Sequence, residues 1–169
     1  MNIVLIGMRG SGKTATGKLL AIRLGKSYIE TDDLIAQKAG LSIMEIVDKY
    51  GWERFRDLET EITHSLATVD NAIIATGGGI ITREENIREL KRIGKLIWLQ
   101  ASVDTLAERI GEDDSRPSLT GKPLREDLET VMAGRHEIYK RECDIAINTE
   151  DRSPEEIAEI ISALHMDEK

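Results

Sequence analysis

Residues 7–14 read GMRGSGKT, a pattern whose residue types suit the binding of a phosphate group. The glycines allow backbone N–H groups to turn toward an anion without a Cβ in the way. Lys13 supplies a positive charge for the terminal phosphates of a nucleotide, and Thr14 supplies a hydroxyl for Mg²⁺. An apolar run precedes the pattern and a helical pattern follows it, which is the setting that such a site requires. The segment is therefore predicted to bind phosphate, with a chance match or an ordinary glycine turn as the alternative.

A group of carboxylates lies at the end of the second apolar run. Glu30, Asp32 and Asp33 flank Thr31 at this point of the sequence. In an open parallel sheet the carboxyl ends of the strands face the ligand crevice. Carboxylates there can hold Mg²⁺ through water, bind a hydroxyl group or accept a proton. The alternative is that Thr31 and one of the aspartates only cap the following helix.

Two later loops also carry candidate residues. Gly77, Gly78 and Gly79 follow the third apolar run, and three successive glycines fit a place where backbone lies close to a ligand, or else a wide turn. No acidic residue lies near the end of that run, so the carboxylates after the second run must support any metal. The polar loop at about 111–123 has the length of a lid, and its Arg116 either reaches a transferring phosphate or is simply solvated.

A charge-rich segment at 51–59 reads GWERFRDLE. Its spacing alone favours a solvated helix face, on which Arg56 pairs with Glu59 or Thr60. Trp52 and Phe55 lie three residues apart, which fits packing in a core better than stacking on a ligand.

The elements that must position these residues alternate along the chain. Strands are predicted at 3–6, 27–30, 72–75, 96–99 and 145–147. Helices are predicted at 13–24, 33–39, 42–69, 83–93, 103–110, 124–143 and 154–164. Strands separated by helices predict βαβ units and a parallel sheet that is covered on both faces. Residues 1–169 are expected to form one α/β domain, with a frayed tail at 166–169.

The overall composition excludes several other classes of protein. The chain has 169 residues, 40% of them hydrophobic and 32% charged, which is ordinary for a soluble globular protein. Its formal net charge of −8 argues against non-specific binding to nucleic acid or to an anionic membrane surface. No apolar run approaches the roughly 18 residues of a membrane span, and the N-terminus is expected to enter the first strand directly, without a signal region. A cytoplasmic location is expected.

Taken together, the motifs resemble the shikimate kinase family over nearly the whole chain. The residues that carry the resemblance are the loop at 7–14, Glu30-Thr31-Asp32, Phe55-Arg56, the three glycines, Arg116-Pro117, and Arg135 with Tyr139. The resemblance implies a three-layer P-loop kinase fold, with a five-stranded parallel sheet flanked by helices. It also implies transfer of the ATP γ-phosphate to the 3-hydroxyl of shikimate, in aromatic amino-acid biosynthesis, with Mg²⁺ and by a monomer.

The resemblance further assigns roles to individual residues. Asp32 would bind the shikimate hydroxyls and orient or deprotonate the attacking one, with Lys13 and Arg116 stabilising the phosphates during catalysis. The shikimate-binding set is Asp32, Arg56, Gly78, Gly79 and Arg135, in which the two arginines would bind the carboxylate. The nucleotide-binding set is Gly10, Ser11, Gly12, Lys13, Thr14, Ala15, Arg109, Arg116 and Arg152. The metal-binding set is Thr14, together with Glu30 and Asp32 acting through water.

One position departs from the family pattern. The family usually has aspartate where this chain has Glu30. The extra methylene moves the carboxylate by about one bond length, and Mg²⁺ tolerates geometric error poorly. Glu30 would then serve through a rearranged water, or metal support would be weaker.

Two other functions remain open on the sequence alone. A related small-molecule kinase such as a gluconate kinase would also use paired arginines on an acid. A catalytically silent nucleotide-binding partner would keep the fold, but the intact Lys13, Thr14, Asp32 and Arg116 argue against it.

Overall fold

The central sheet is built from five short segments that run parallel to one another. The computed structural model describes residues 1–166. Within them the strands are β1 (Asn2–Ile6), β2 (Ser27–Glu30), β3 (Ala72–Ala75), β4 (Gly94–Gln100) and β5 (Ile145–Asn148). They lie side by side in the order β2-β3-β1-β4-β5, and each pairing is parallel. The strands β1 and β3 are buried along their whole length, which explains why their residues are apolar apart from Asn2.

The described part of the chain contains seven α-helices. They are α1 (Lys13–Leu24), α2 (Thr31–Ala39), α3 (Ile43–Ser65), α4 (Glu84–Ile93), α5 (Val103–Ile110), α6 (Leu124–Glu142) and α7 (Pro154–Met166). Two short 3₁₀ turns, Leu66–Thr68 and Ile80–Thr82, were not predicted. The tail expected from residue 166 onward lies outside the described residues, apart from Met166 at the end of α7. No helix of residues 1–166 is long and apolar enough to cross a membrane.

Helices cover both faces of the sheet. Successive side chains of a strand point to opposite faces, and the apolar side chains on each face pack against helices. Ile3 and Leu5 of β1 pack with α1 and α7 on one face. Val4 and Ile6 pack with α4, α5 and α6 on the other face. The predicted three-layer α/β arrangement with a five-stranded parallel sheet is confirmed.

The helix predicted at 42–69 is the one element whose course differs. It begins at a capping box formed by Ser42 and Glu45 and is broken at Gly51, whose φ of 79° and ψ of 170° are not helical. A left-handed φ of this kind favours glycine. The break separates two helical halves, and the second half carries Phe55 and Arg56. Together with α2, this element forms a small apolar cluster of its own beside the sheet.

Candidate active site

Two adjoining pockets open where the carboxyl ends of β1, β2 and β3 meet. One is lined by the loop 7–14 and the end of β2, and the other by α3, α6 and the glycines after β3. Four residues line both pockets, namely Arg9, Gly77, Gly78 and Arg116. Two ligands, one in each pocket, would therefore share these four residues as contacts.

The loop between β1 and α1 adopts backbone conformations that favour glycine. Gly7, Gly10 and Gly12 have φ values of 144°, 82° and 93°. A Cβ on Gly7 would lie 2.6 Å from the carbonyl oxygen of Leu99, so close approach also requires glycine there. Lys13 Nζ donates to the carbonyl oxygens of Gly7 and Met8, both at 2.9 Å. Burial lowers the pKa of Lys13 to about 8, so this ammonium is less firmly protonated than an exposed lysine.

Oxygen atoms from three residues surround the start of α1. Thr14 Oγ1 donates to Glu30 Oε1 at 2.7 Å. The Asp32 carboxylate lies in the same pocket, and its Oδ1 atom is buried without a hydrogen-bond partner among residues 1–166. Such hard oxygen donors fit Mg²⁺. Within the described residues no cluster of three or more histidine, cysteine or acidic side chains could hold a metal alone, so phosphate oxygens would have to complete the site.

Glu30 has a second partner that the sequence reasoning missed. The hydroxyl of Tyr28 donates to Glu30 Oε2 at 2.5 Å. Burial and this hydrogen bond raise the pKa of Tyr28, so its hydroxyl stays protonated and acts as a donor. The Glu30 carboxylate is thus held at both of its oxygens.

Asp32 is paired with the arginine of the polar loop. Arg116 Nη2 forms an ion pair with Asp32 Oδ2. The same loop contacts the phosphate loop, because Arg9 Nη2 donates to the carbonyl oxygen of Asp113 at 2.6 Å.

Asp33 is exposed. The capping alternative is not observed for either aspartate, because α2 begins at Thr31 with Glu30 at the cap and without a side-chain cap.

Arg56 lies inside the second pocket and not on a solvated face, so the interpretation from spacing alone is wrong. Its side chain is 13% exposed, and its Nη1 bonds Glu59 Oε2 at 2.5 Å. Glu59 is completely buried, and burial raises its pKa although Arg56 opposes that shift. The spacing did suggest the pairing with Glu59. The spacing could not reveal that Arg56 and Glu59 are buried, because their burial depends on the direction that α3 takes after the break at Gly51.

Arg135 and Tyr139 complete the pocket from α6. Burial lowers the pKa of Arg135 and raises that of Tyr139 to about 12. Tyr139 donates its hydroxyl to the carbonyl oxygen of Gly78 at 2.5 Å, and its ring stacks on Trp98 with the centroids 5.5 Å apart. Tyr139 therefore fixes the backbone of the glycine segment from behind, a contact that sequence spacing did not indicate.

Charged side chains lie directly against two of the three successive glycines, Gly77 and Gly79. A Cβ on Gly77 would lie 2.8 Å from Asp32 Oδ1 and 2.9 Å from Glu59 Oε1. A Cβ on Gly79 would overlap the guanidinium group of Arg56. The segment is thus a close approach of backbone to charged side chains, and not only a wide turn.

Most of the predicted nucleotide-binding residues do come together. The first pocket is lined by Gly10, Gly12, Lys13, Thr14, Ala15, Glu30, Asp32, Arg109 and Arg116, among others. Ser11 is buried beside them and accepts from Lys13 Nζ at 3.4 Å. Arg109 bonds Thr149 at its rim, with distances of 2.9 Å to Oγ1 and 2.8 Å to the carbonyl oxygen. Among the described residues Arg152 does not line either pocket, although its backbone N–H reaches that same carbonyl at 3.3 Å.

Comparison with known proteins gives a consistent result. A family model described as shikimate kinase matches residues 9–165. The shikimate kinase of Thermodesulfovibrio yellowstonii is 39% identical over 95% of this chain and 92% of the relative, and that of Moorella thermoacetica is 42% identical over 96% and 94%. The solved structure of the Acinetobacter baumannii shikimate kinase in complex with shikimate is 32% identical, has a TM-score of 0.94, and is matched over 99% of this chain and 94% of that one.

Proposed function

The chain belongs to the shikimate kinase family, and on that premise we propose how its own residues carry out the family's reaction. The enzyme transfers the γ-phosphate of ATP to the 3-hydroxyl of shikimate, which yields shikimate 3-phosphate and ADP. The question that follows is which side chain performs which part of the transfer.

The observation that carries the assignment is the junction of the two pockets. The phosphate loop lines one pocket, Arg56 and Arg135 line the other, and Arg9, Gly77, Gly78 and Arg116 line both. This arrangement suits two substrates that must meet with their reacting groups in line. ATP binds in the pocket of Lys13 and Thr14, and shikimate binds in the pocket of Arg56 and Arg135.

Arg56 and Arg135 bind the shikimate carboxylate in this proposal. A planar guanidinium group can bond both oxygens of a carboxylate, and burial strengthens that interaction by excluding water. Arg56 is held in place by Glu59 and by the rings of Trp52 and Phe55, which lie 5.5 Å and 5.4 Å from its central carbon. The backbone of Gly78 and Gly79 lies against the same ligand.

Asp32 orients the attacking hydroxyl and accepts its proton. Its free Oδ1 atom is buried beside Gly77, which lines both pockets, and a hydroxyl donor there would satisfy it. Arg116 then moves from Asp32 to the phosphates, where it joins Lys13 in neutralising negative charge during transfer.

The nucleotide is held by the loop and by arginines at the pocket rim. Backbone N–H groups of Gly10, Ser11, Gly12 and Ala15 bind the phosphates. Arg109 flanks the adenine from the pocket rim, and Arg152, which lies outside the pocket lining, would reach the adenine from its place beside Thr149. When bound, Mg²⁺ supplies positive charge beside the phosphates. Thr14 would hold it directly, and Glu30 and Asp32 would hold it through water.

The remaining features of the proposal concern the protein as a whole. We propose that it is a monomer of the cytoplasm that binds neither nucleic acid nor a membrane surface. The family resemblance supports the monomer, and the net charge of −8 supports the absence of polyanionic partners.

An acceptor panel tests the assignment. ADP release from ATP and Mg²⁺ is measured with shikimate, with gluconate, with a nucleoside monophosphate and with no acceptor. We expect saturable release with shikimate alone. Release with another acceptor would overturn the roles of Arg56 and Arg135, and ATP binding without acceptor-dependent release would indicate a catalytically silent protein.

A further inference from the structure

Tyr28 and Glu30 form a pair on β2 to which the mechanism above gives no joint role. Residues two apart on a strand point to the same face. Here the hydroxyl of Tyr28 bonds Glu30 Oε2 at 2.5 Å, while Glu30 Oε1 accepts the hydroxyl of Thr14 at 2.7 Å. The three side chains therefore form one chain of hydrogen bonds that ends at a metal-binding residue.

The ring of Tyr28 is itself fixed by the helix that begins with Lys13 and Thr14. A Cβ on Gly17 would lie 2.8 Å from Tyr28 Cε2, so the ring rests on the backbone of α1 at this glycine. Lys18 Nζ lies 5.8 Å from the ring centroid. Gly17 is three residues from Thr14, which places both on neighbouring parts of one helix face. Tyr28 and Thr14, the two donors at the ends of the chain, are thus both held by α1.

The bonding pattern has a direct consequence for Thr14. A threonine hydroxyl has one hydrogen and two lone pairs. Because its hydrogen is donated to Glu30, the lone pairs of Thr14 Oγ1 are left to face a cation. Partners of this kind, one bond removed from a metal, orient its ligands and raise metal affinity.

The pairing also addresses the departure of Glu30 from the family pattern. Glutamate has one more rotatable bond than aspartate, so its carboxylate is less well fixed by the backbone alone. A donor at Oε2 removes that freedom, since it leaves Oε1 in only one orientation toward Thr14. The Tyr28 hydroxyl is this donor.

We propose that Tyr28 is a positioning residue for the metal site, and that its hydroxyl fixes Glu30 so that Glu30 orients Thr14 and a water molecule toward Mg²⁺. The proposal rests on the proposed function only in assigning Mg²⁺ to Thr14.

Metal binding to the enzyme–ADP complex tests the proposal without any turnover. Mn²⁺ accepts the same oxygen ligands as Mg²⁺, and free Mn²⁺ can be counted by electron paramagnetic resonance. Tyr28→Phe keeps the ring on Gly17 and removes only the hydroxyl. We expect this variant to bind Mn²⁺ about tenfold more weakly, while calorimetry gives unchanged affinities for metal-free ADP and for shikimate.

A double-mutant cycle shows whether Tyr28 acts through Glu30. Glu30→Ala removes the acceptor, so adding Tyr28→Phe to it should cost no further Mn²⁺ affinity. An unchanged Mn²⁺ affinity in Tyr28→Phe would overturn the proposal. The proposal would also be overturned if Tyr28→Phe lowered Mn²⁺ affinity equally in the Glu30→Ala background, or if it lowered shikimate affinity in parallel. Either result would indicate a general structural effect of the substitution. The acceptor panel on the unaltered enzyme separates these results from failure of the proposed function.

Discussion

Asp32 and Asp33 are adjacent carboxylates with opposite surroundings. Asp32 is 7% exposed, pairs with Arg116 through Oδ2 and leaves Oδ1 without a partner among the described residues. Asp33 is exposed. Burial of a carboxylate with an open bonding position is costly in an apolar site and useful in a catalytic one, where a substrate hydroxyl completes the arrangement. The difference lets one residue serve as control for the other.

Asp32→Asn should lower kcat by roughly 100-fold or more, because a neutral amide cannot accept the proton of the attacking hydroxyl. Affinity for ATP should remain near that of the unaltered enzyme. Steady-state kinetics with shikimate, together with calorimetry for ATP, would measure both. Asp33→Asn is the matched control and should leave both values unchanged. An unaltered kcat in Asp32→Asn would remove Asp32 from the mechanism.

The glycines after β3 differ from other glycines of the chain in what lies beside them. At Gly79 the guanidinium group of Arg56 occupies the space of a Cβ. At Gly134, within α6, nothing lies within 4 Å of that position. Gly79 has to be glycine because Arg56 occupies the space of a side chain. Gly134 has no such neighbour, and its main effect is to give the unfolded chain more conformational freedom.

Gly79→Ala should raise the KM for shikimate about tenfold, because displacing Arg56 weakens a charged hydrogen bond that is worth about 1.5–3 kcal/mol. ATP affinity should not change, since Arg56 does not line the nucleotide pocket. Gly134→Ala, the control, should leave KM unchanged and stabilise the protein by about 0.5–1 kcal/mol. Equal KM values for the two variants would show that the contact with Arg56 is unimportant for binding.

Local sequence patterns predicted most elements but not the tertiary contacts of the site. The bounds of β2, β3, α1 and α5 agree with the prediction, because each combines a clear periodicity with strong end signals. The break in α3 was missed, since a glycine within a helical pattern does not reveal its φ. The roles of Glu59 and Tyr139 depend on burial, which arises only when α3 and α6 pack against the end of the sheet.

The polar loop between α5 and α6 is attached unequally at its two ends. Toward α6, Asp127 Oδ1 accepts from Ser118 Oγ at 2.9 Å and from the backbone N–H and hydroxyl of Thr120 at 2.8 Å and 2.7 Å. Among the described residues, the tip is held by Arg9 on Asp113, by Arg116 on Asp32 and by a backbone hydrogen bond from Asp113 to Ile110. Motion of this lid should therefore be confined to residues 111–117, with the remainder fixed to α6.

Asp127→Ala should extend that motion to residue 120 and lower the free energy of unfolding by about 2 kcal/mol, because it deletes charged hydrogen bonds. Hydrogen exchange at the Thr120 amide, which should become faster, and denaturant unfolding would measure the two effects. Glu126→Ala is the control, since Glu126 is an exposed acidic neighbour in the same helical turn. Similar exchange in the two variants would contradict a special role for Asp127.

The same contact predicts a pH dependence. Burial alone would raise the pKa of Asp127, but hydrogen bonds from Thr120 and Ser118 outweigh it and lower the pKa. The stabilisation is therefore present above the ordinary aspartate pKa of about 4 and is lost as the pH falls below it. Asp127→Asn should flatten this part of the stability curve.

The two proposed substrate pockets adjoin each other, and among the described residues two arginines, Arg9 and Arg116, line both of them. Arg116 lines both pockets and, without ligands, pairs with Asp32. That pairing engages Oδ2 of the carboxylate which, in the proposed mechanism, also binds the shikimate hydroxyls. Phosphates in the nucleotide pocket would draw Arg116 away and release Asp32, so the two binding events should favour each other. That residues 1–169 form one domain stays a prediction. Coupling between the two pockets through Arg116 needs no second domain.

We expect ADP to increase shikimate affinity about tenfold, and shikimate to increase ADP affinity by the same factor, because equilibrium coupling is reciprocal. Calorimetric titration of each ligand with and without the other measures both factors. In Arg116→Ala the factor should fall to about one, since no group then moves between Asp32 and the phosphates. Arg125→Ala is the control, because Arg125 is an exposed arginine near the lid that pairs with Asp104 and lines neither pocket. Coupling that persists in Arg116→Ala, or antagonism in the unaltered enzyme, would show that Arg116 does not link the two sites.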